Sequence, residues 1–319
     1  MTESLRKIRN IGIVPVVKLN EAQNAKRLGA ALVKGRIPCA EITFRTAAAE
    51  EGIRILSGES PELLVGAGTV INTELAKKAI DAGARFIVSP GFDPAVVDCC
   101  LSRGVPIIPG VNNPSNIEDA LGKGLELLKF FPAEASGGVA MLDAFAGPFP
   151  QVQFMPTGGI GPGNLADYIR RPNVFAVGGS WMAPSGMIES GDWEGIEKLC
   201  SEASLALQGF AFAHLGINQA DPAAAADSAA LFAGFGLAPK DGASSVFAGQ
   251  SIEIMKAPFR GAHGHIGFKT WDIERALAYL EPLGLRPVEE TRKTANGATK
   301  AVYLDREIAG FAVHLVREK

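Results

Sequence analysis

Short apolar runs alternate with amphipathic stretches along the first two-thirds of the chain. The runs that read as strands are 11–17, 39–45, 63–70, 85–91, 105–111, 127–133, 152–159 and 174–181. Between them, apolar residues recur at helical spacing over 21–34, 47–56, 73–82, 94–103, 114–121, 138–145 and 163–170, with a last helical stretch over 194–207. Asn72 and Asp93 stand where N-caps belong, Pro94 suits a first helical position, and Gly29, Gly83 and Gly104 fall at or near expected helix ends. Eight strand–helix units in about 210 residues, with runs apolar on both faces, predict an α/β chain beginning with a (β/α)8 barrel. An open doubly wound sheet is the alternative, but no GxGxxG or P-loop follows an early strand. Most runs end in Gly, Pro or polar residues, as in Gly66-Ala67-Gly68-Thr69 and Ser89-Pro90-Gly91. Barrel active sites are built from such tips.

The pattern changes after about residue 210. His214-Leu215-Gly216-Ile217-Asn218 is echoed by His265-Ile266-Gly267-Phe268-Lys269, and Phe235-Gly236-Leu237-Ala238-Pro239 by Leu283-Gly284-Leu285-Arg286-Pro287. Ser251-Ile252-Glu253-Ile254-Met255 finds its echo in Phe311-Ala312-Val313-His314-Leu315. Each copy reads strand, helix, then several strands, so the chain divides into a barrel over 1–209 and an α+β domain of two βαβββ modules over 210–319.

Composition narrows the function. Of 319 residues, 47% are hydrophobic and 20% charged, which is a core-forming composition. A net charge of −3 offers no basic face for nucleic acid. No apolar run approaches the roughly 20 residues of a membrane span, and residues 1–10 carry no signal-peptide pattern. Cys39, Cys99, Cys100 and Cys200 have no CxxC spacing and read as reduced thiols of a cytoplasmic protein. All four histidines (His214, His263, His265, His314) lie beyond residue 210, so chemistry in the barrel proceeds without imidazole.

The run Leu127-Leu128-Lys129-Phe130-Phe131 therefore stands out. Alternation puts Lys129 on one face with Leu127 and Phe131. Burial penalises the charged ammonium, and free amine is what attacks a carbonyl to form a Schiff base. A strand-end lysine whose head reaches water is the alternative. On the second strand Glu41, Thr43 and Arg45 share a polar, inward face, as a proton carrier and an anion clamp or as an internal ion pair. Thr69 follows Gly66 and Gly68, where the backbone can approach a ligand. Gly158-Gly159 and Gly178-Gly179-Ser180, after strands seven and eight, suit the usual barrel phosphate site, although tight turns also use glycine. Together these features suggest carbon–carbon cleavage or formation on a phosphorylated keto acid.

Val14-Pro15-Val16, Glu41-Ile42-Thr43-Phe44-Arg45-Thr46, Gly66-Ala67-Gly68-Thr69-Val70, Ser89-Pro90-Gly91, Lys129-Phe130-Phe131-Pro132-Ala133-Glu134, Gly147-Pro148, Pro156-Thr157-Gly158-Gly159-Ile160 and Gly178-Gly179-Ser180-Trp181 occur in that order. In them the barrel resembles the bacterial 2-keto-3-deoxy-6-phosphogluconate aldolases, which often also handle 4-hydroxy-2-oxoglutarate. The resemblance implies a cofactor-free class I aldolase, usually trimeric, with Lys129 forming the Schiff base and Glu41 shuttling protons. It implies that Arg45 and Thr69 hold the keto-acid carboxylate, that Pro90 and Phe131 shape the pocket, and that Thr157 contacts the substrate. Gly158, Gly159, Gly179 and Ser180 would bind the phosphate. Asn112-Asn113-Pro114-Ser115-Asn116 replaces the family's Ser/Thr-rich loop, and Phe44 a common aliphatic residue; the loop bears on which aldehyde is preferred.

The repeat after residue 210 resembles the glyoxalase/bleomycin-resistance (vicinal oxygen chelate) superfamily. That resemblance implies metal ligands at His214, Glu253, His265 and His314, the last replacing the usual glutamate. Three imidazoles and a carboxylate suit Zn²⁺, Ni²⁺, Mn²⁺ or Fe²⁺. The module then reads as a metal-dependent isomerase, lyase or dioxygenase linked to the barrel, or as a metal-free binding or assembly element. His263 is off register and reads as a loop residue.

Overall fold

A computed structural model describes every residue except Asn296 and Lys319. The chain forms two compact units, Met1–Leu207 and a second from Gln208 onward.

In the first unit the strands are β1 (Ile13–Val17), β2 (Cys39–Thr43), β3 (Leu64–Gly68), β4 (Ile87–Val88), β5 (Ile107–Ile108), β6 (Gly110–Val111), β7 (Leu127–Phe130), β8 (Gln153–Pro156) and β9 (Val177–Gly179). They pair in parallel, in the orders β5-β4-β3-β2-β1-β9 and β6-β7-β8. Two junctions join these sheets. β5 and β6 are halves of one strand interrupted at Pro109, which has no N–H to donate but whose carbonyl accepts from the Lys129 N–H at 2.9 Å. Parallel bridges Phe154–Val174 and Thr157–Gly178 link the strand of β8 to that of β9. The ring is a (β/α)8 barrel.

The helices between strands begin where the side chains can satisfy their free N–H groups. Asn72 accepts from the Leu75 N–H at 2.8 Å, Asp93 from Ala95 at 2.8 Å and Asn113 from Asn116 at 3.1 Å. Glu3–Ile11 is a helix not expected from the sequence pattern; Thr2 caps its start and Gly12, at φ 79°, ends it. Gly29 corrects another expectation. It lies inside helix Ala25–Lys34 rather than at its end, because a β-carbon there would stand 2.8 Å from Leu56 Cδ2 of the adjoining helix.

Alternation along the strands fills the barrel in layers. Val14, Cys39, Leu64, Phe86, Val88, Ile108 and Met155 form one buried cluster with Ile8 of the first helix. Two residues further along β2 and β7, Cys39 gives way to Glu41 and Leu127 to Lys129. The opposite face of β7 is anchored by Phe130, edge-on to Phe145 (6.0 Å between centroids) and Phe154 (6.4 Å).

The second unit contains β10 (Ala211–Asn218), a helix Pro222–Ala233, β11 (Pro239–Asp241), β12 (Ser245–Ala248) and β13 (Ile252–Met255), then β14 (Gly264–Thr270), a helix Ile273–Leu280, β15 (Lys293–Ala295), β16 (Ala298–Ile308) and β17 (Phe311–Arg317). One mixed sheet runs β11-β12-β13-β10-β14-β17-β16-β15, two βαβββ halves meeting where β10 and β14 pair antiparallel. Each helix covers its own half. Ala225 and Ala229 pack with Val246, Ala248 and Ile254, and Ile273, Ala276 and Leu277 with Val302, Leu304, Val313 and Leu315. The alternating residues Phe247, Glu253, Tyr303 and His314 are thereby turned to the other face.

The pairing register also corrects the repeat. Glu253 sits opposite Gly216 on β10, and His314 opposite Gly267 on β14. Residues 251–255 therefore match 312–316, one position later than the apparent sequence echo.

Candidate functional site

Lys129 ends the inward row of β7 and is 4% exposed; Glu41, on β2, is 1% exposed. Their side chains meet across the barrel, with Lys129 Nζ donating to Glu41 Oε1 at 3.5 Å. An ammonium and a carboxylate this buried are tolerated because each compensates the other's charge. Glu41 Oε2 has no hydrogen-bond partner in the structure, which leaves half the carboxylate free to take or give a proton. Gly68 makes room for it: a β-carbon there would stand 2.0 Å from Glu41 Oε1. Phe131 lies beside the amine, its ring centroid 5.1 Å from Nζ.

Two residues further along, at Thr43 and Phe131, the chain reaches a cavity of about 500 Å³, which neither Lys129 nor Glu41 lines and which Arg45, Thr157 and the tips carrying Gly158, Gly159, Gly179 and Ser180 help to enclose. Arg45 Nε donates to Thr69 Oγ1 at 3.1 Å, and Thr69 holds a left-handed backbone (φ 58°), a strained conformation for a β-branched residue. Ala133 and Glu134 donate their N–H groups to the Thr157 and Gly158 carbonyls at 2.8 and 3.1 Å, locking the segment after Lys129 to the glycine loop. Pro90, two residues beyond β4, is not among the residues lining the cavity; its carbonyl instead lies against Gly110. Sequence reasoning missed Lys18 and Trp181 as lining residues. Lys18 was recoverable in principle, as a charged residue at the tip of the first strand.

The second unit gathers a different set of groups. His214 Nε2 lies 3.1 Å from His265 Nε2, 3.0 Å from His314 Nε2 and 3.3 Å from Glu253 Oε2, while His265 Nε2 is 3.2 Å from Glu253 Oε2. All four expected ligands thus converge, whereas His263 lies apart in the segment before β14, its N–H bonded to the Gly310 carbonyl at 3.0 Å. Glycines make this approach feasible. A β-carbon on Gly216 would stand 2.1 Å from the His265 ring, and one on Gly267 2.7 Å from His314 Nε2 and 2.8 Å from His214 Cε1. The His-x-Gly spacing common to both repeats is the sequence signal for these two glycines. Ser245 donates to Glu253 Oε1 at 2.7 Å, and Tyr303 stacks on His314 with centroids 4.6 Å apart.

Burial, with His214 and His265 nearby, pushes His314 down to about 3, and burial also lowers His214, so both rings are neutral at neutral pH. Burial raises Glu253, but hydrogen bonds from His265 and Ser245 prevail and hold it at about 2. Neutral imidazoles and an ionised carboxylate are the forms that bind metal.

A closed parallel barrel with an amine–carboxylate pair beneath a cation-bearing mouth places the first unit among the aldolase barrels. Comparison with known proteins agrees. The model of the KDPG and KHG aldolase family matches residues 4–199. The 2-dehydro-3-deoxy-phosphogluconate aldolase of Treponema pallidum is 48% identical over 200 residues, 63% of this chain and 94% of that protein. The KHG/KDPG aldolase of Escherichia coli K12 is 42% identical over 60% of this chain and 90% of its own. A Legionella pneumophila KDPG aldolase, whose structure holds pyruvate as a covalent carbinolamine, superposes with a TM-score of 0.62 at 39% identity, covering 63% of this chain and 98% of that one. The chain belongs to the KDPG and KHG aldolase family.

Proposed function

We propose that the barrel is a class I aldolase that cleaves 2-keto-3-deoxy-6-phosphogluconate to pyruvate and glyceraldehyde 3-phosphate, and 4-hydroxy-2-oxoglutarate to pyruvate and glyoxylate. The observation that carries this reading is the buried contact between Lys129 Nζ and Glu41 Oε1. In this reaction Glu41 takes a proton from the Lys129 ammonium, the freed amine adds to the C2 carbonyl, and Glu41 returns that proton as the carbinolamine loses water to form the iminium. Glu41 then takes the C4 hydroxyl proton. The C3–C4 bond breaks, its electron pair passes into the iminium to give an enamine, and the C4 fragment leaves as the aldehyde. Protonation at C3 and hydrolysis release pyruvate and restore the amine. Arg45, braced by Thr69, suits the keto-acid carboxylate, and the N–H groups at Gly158, Gly159, Gly179 and Ser180 suit the phosphate. Phe131 walls the amine, and Thr157 lines the cavity beside it. The same reading includes a homotrimer and a cytoplasmic location, the latter in keeping with four unpaired cysteines. No helix among the described residues is long and apolar enough to cross a membrane. Borohydride reduction in the presence of pyruvate tests it: a mass adduct on Lys129 is expected, and its absence would sink the reading.

A second reading concerns the glyoxalase-like unit, which we propose holds a divalent metal on His214, Glu253, His265 and His314. The hydrogen count favours it. A neutral imidazole carries one hydrogen, so His214 Nε2 can donate to at most one of the three acceptor atoms standing 3.0 to 3.3 Å away. A cation among them satisfies all four, and tetrahedral donors about 2.0–2.1 Å from zinc would stand roughly 3.3 Å apart. A metal bound there would supply Lewis-acid chemistry or an activated water. Elemental analysis of the purified chain against a His214→Ala/His265→Ala variant decides between this reading and a metal-free module: equal metal content in the two would exclude the site.

A further inference from the structure

The two halves of the second unit can be matched through their pairing registers, and they differ around the converging side chains. Phe247 on β12 stands opposite Glu253 on β13, as Tyr303 on β16 stands opposite His314 on β17. Two residues earlier on β12 and β16, Ser245 stands opposite Met255 and Ala301 opposite Val316. Ser245 and Ala301 therefore occupy the same place in the two halves. The half with the carboxylate has a hydroxyl there, and the half with the imidazole has none.

That hydroxyl is committed. Ser245 is buried, and its O–H is spent on Glu253 Oε1 at 2.7 Å, a charge-assisted bond across a diagonal of the strand pair. The other oxygen, Oε2, is the one that faces the imidazoles, 3.2 Å from His265 Nε2 and 3.3 Å from His214 Nε2. The last torsion of a glutamate is soft and roughly two-fold, so a carboxylate left to itself swings and presents either oxygen or both. With Oε1 tied to β12, the carboxylate plane is fixed and one oxygen is presented. The imidazole of the other half is held differently, by stacking on Tyr303 with the two planes 16° apart.

We propose that Ser245 is a positioning residue for the cation site: it holds Glu253 as a one-oxygen donor, so that the four side chains offer three nitrogens and a single oxygen. The proposal rests on the metal reading above. A carboxylate that chelated through both oxygens would raise the donor count and the oxygen share, which suits Mn²⁺. Few donors, most of them imidazole, suit Zn²⁺. Ser245 thereby favours Zn²⁺ over Mn²⁺.

The test measures Zn²⁺ and Mn²⁺ affinities by competition with a chromophoric chelator, on the full metal-free chain and on Ser245→Ala, Ser245→Thr, Glu253→Ala and Ser245→Ala/Glu253→Ala. Ser245→Ala should weaken Zn²⁺ binding by about 10- to 100-fold, as loss of a residue behind a metal ligand does elsewhere. Mn²⁺ binding should weaken less, so the preference for Zn²⁺ falls. Ser245→Thr, which keeps the hydroxyl, should restore most of it. In the Glu253→Ala background the serine substitution should change Zn²⁺ affinity by less than about twofold, because the residue through which it acts is gone. A merely structural serine would weaken both metals alike and in both backgrounds, and that result, or an unchanged Zn²⁺ affinity in Ser245→Ala, overturns the proposal. The wild-type chain separates the two failures. If it binds neither metal, the metal reading falls and the role of Ser245 with it; if it binds Zn²⁺ no more tightly than Ser245→Ala does, only the role of Ser245 is refuted.

Discussion

The barrel and the second unit both bury polar side chains on strands, and they differ in whether those side chains balance one another. Lys129 and Glu41 are a cation and an anion 3.5 Å apart, so the pair is compensated as it stands. The second unit brings three imidazoles together, with one carboxylate against two of them and no lysine or arginine in the cluster. A self-compensated pair suits a site that awaits a substrate carbonyl; converging donors suit a site completed by a cation. The two sites share no residue, and this allows the comparison to be broken one side at a time.

The largest effect falls on the barrel. Lys129→Met removes the nucleophile and leaves Glu41 buried without its counter-charge. Cleavage should fall by at least about 10³-fold and borohydride trapping should disappear, while bound metal per chain is unchanged. Glu41→Gln keeps the volume but cannot carry a proton, and a loss of about 10²- to 10⁴-fold in kcat is expected with trapping slowed rather than abolished. Equal trapping rates in Glu41→Gln and wild type would move the proton shuttle elsewhere.

On the other side, His214→Ala/His265→Ala should lose the metal and retain aldolase kcat/KM within about twofold, since the barrel has no histidine to supply to a metal. Added metal should stabilise the native unit by about 4 kcal/mol at a free concentration of 1,000 Kd, read as a rise in the Tm of one of two thermal transitions. Cleavage that falls with chelation would deny the separation of the two chemistries.

How far each region could be read from its sequence follows from the same contrast. The barrel strands were legible because each is a short apolar run bounded by Gly or Pro, and Lys129 was legible because a charge in such a run is costly. Helix Glu3–Ile11 went unread although Leu5, Ile8 and Ile11 recur every third residue and pack on the core, because it precedes the first strand and stands outside the strand–helix alternation. The break at Pro109 divides what reads as one strand. Gly29 misleads because glycine at a helix end and glycine under a neighbouring helix look alike until Leu56 is placed against it. In the second unit the histidines marked the positions whose side chains converge, but the register of the last strand was off by one. Only the pairing of His314 with Gly267 sets it, and a one-residue slip along a strand exchanges the faces of its side chains. Lys18 escaped notice because an exposed lysine after a strand is ordinary, and only the folded barrel brings it to the cavity.

The finest test of the comparison uses glycines, since each site is kept open by one that no ligand list would name. Gly68→Ala would place a methyl group 2.0 Å from Glu41 Oε1, and the carboxylate must move away from Lys129 to admit it. Gly267→Ala would place one 2.7 Å from His314 Nε2 and 2.8 Å from His214 Cε1, pressing two ligands at once. Neither glycine has a positive φ, so the cost is crowding rather than backbone strain. Gly68→Ala should lower kcat by about 10-fold or more and leave metal content alone. Gly267→Ala should weaken metal affinity by about 10- to 100-fold, as loss of ligand positioning does elsewhere, and leave cleavage alone. Titration of both variants with Zn²⁺, alongside their cleavage rates, checks the crossed pattern. If Gly267→Ala binds metal as tightly as wild type, the imidazoles have room to spare, and their convergence at His214 would owe nothing to a cation.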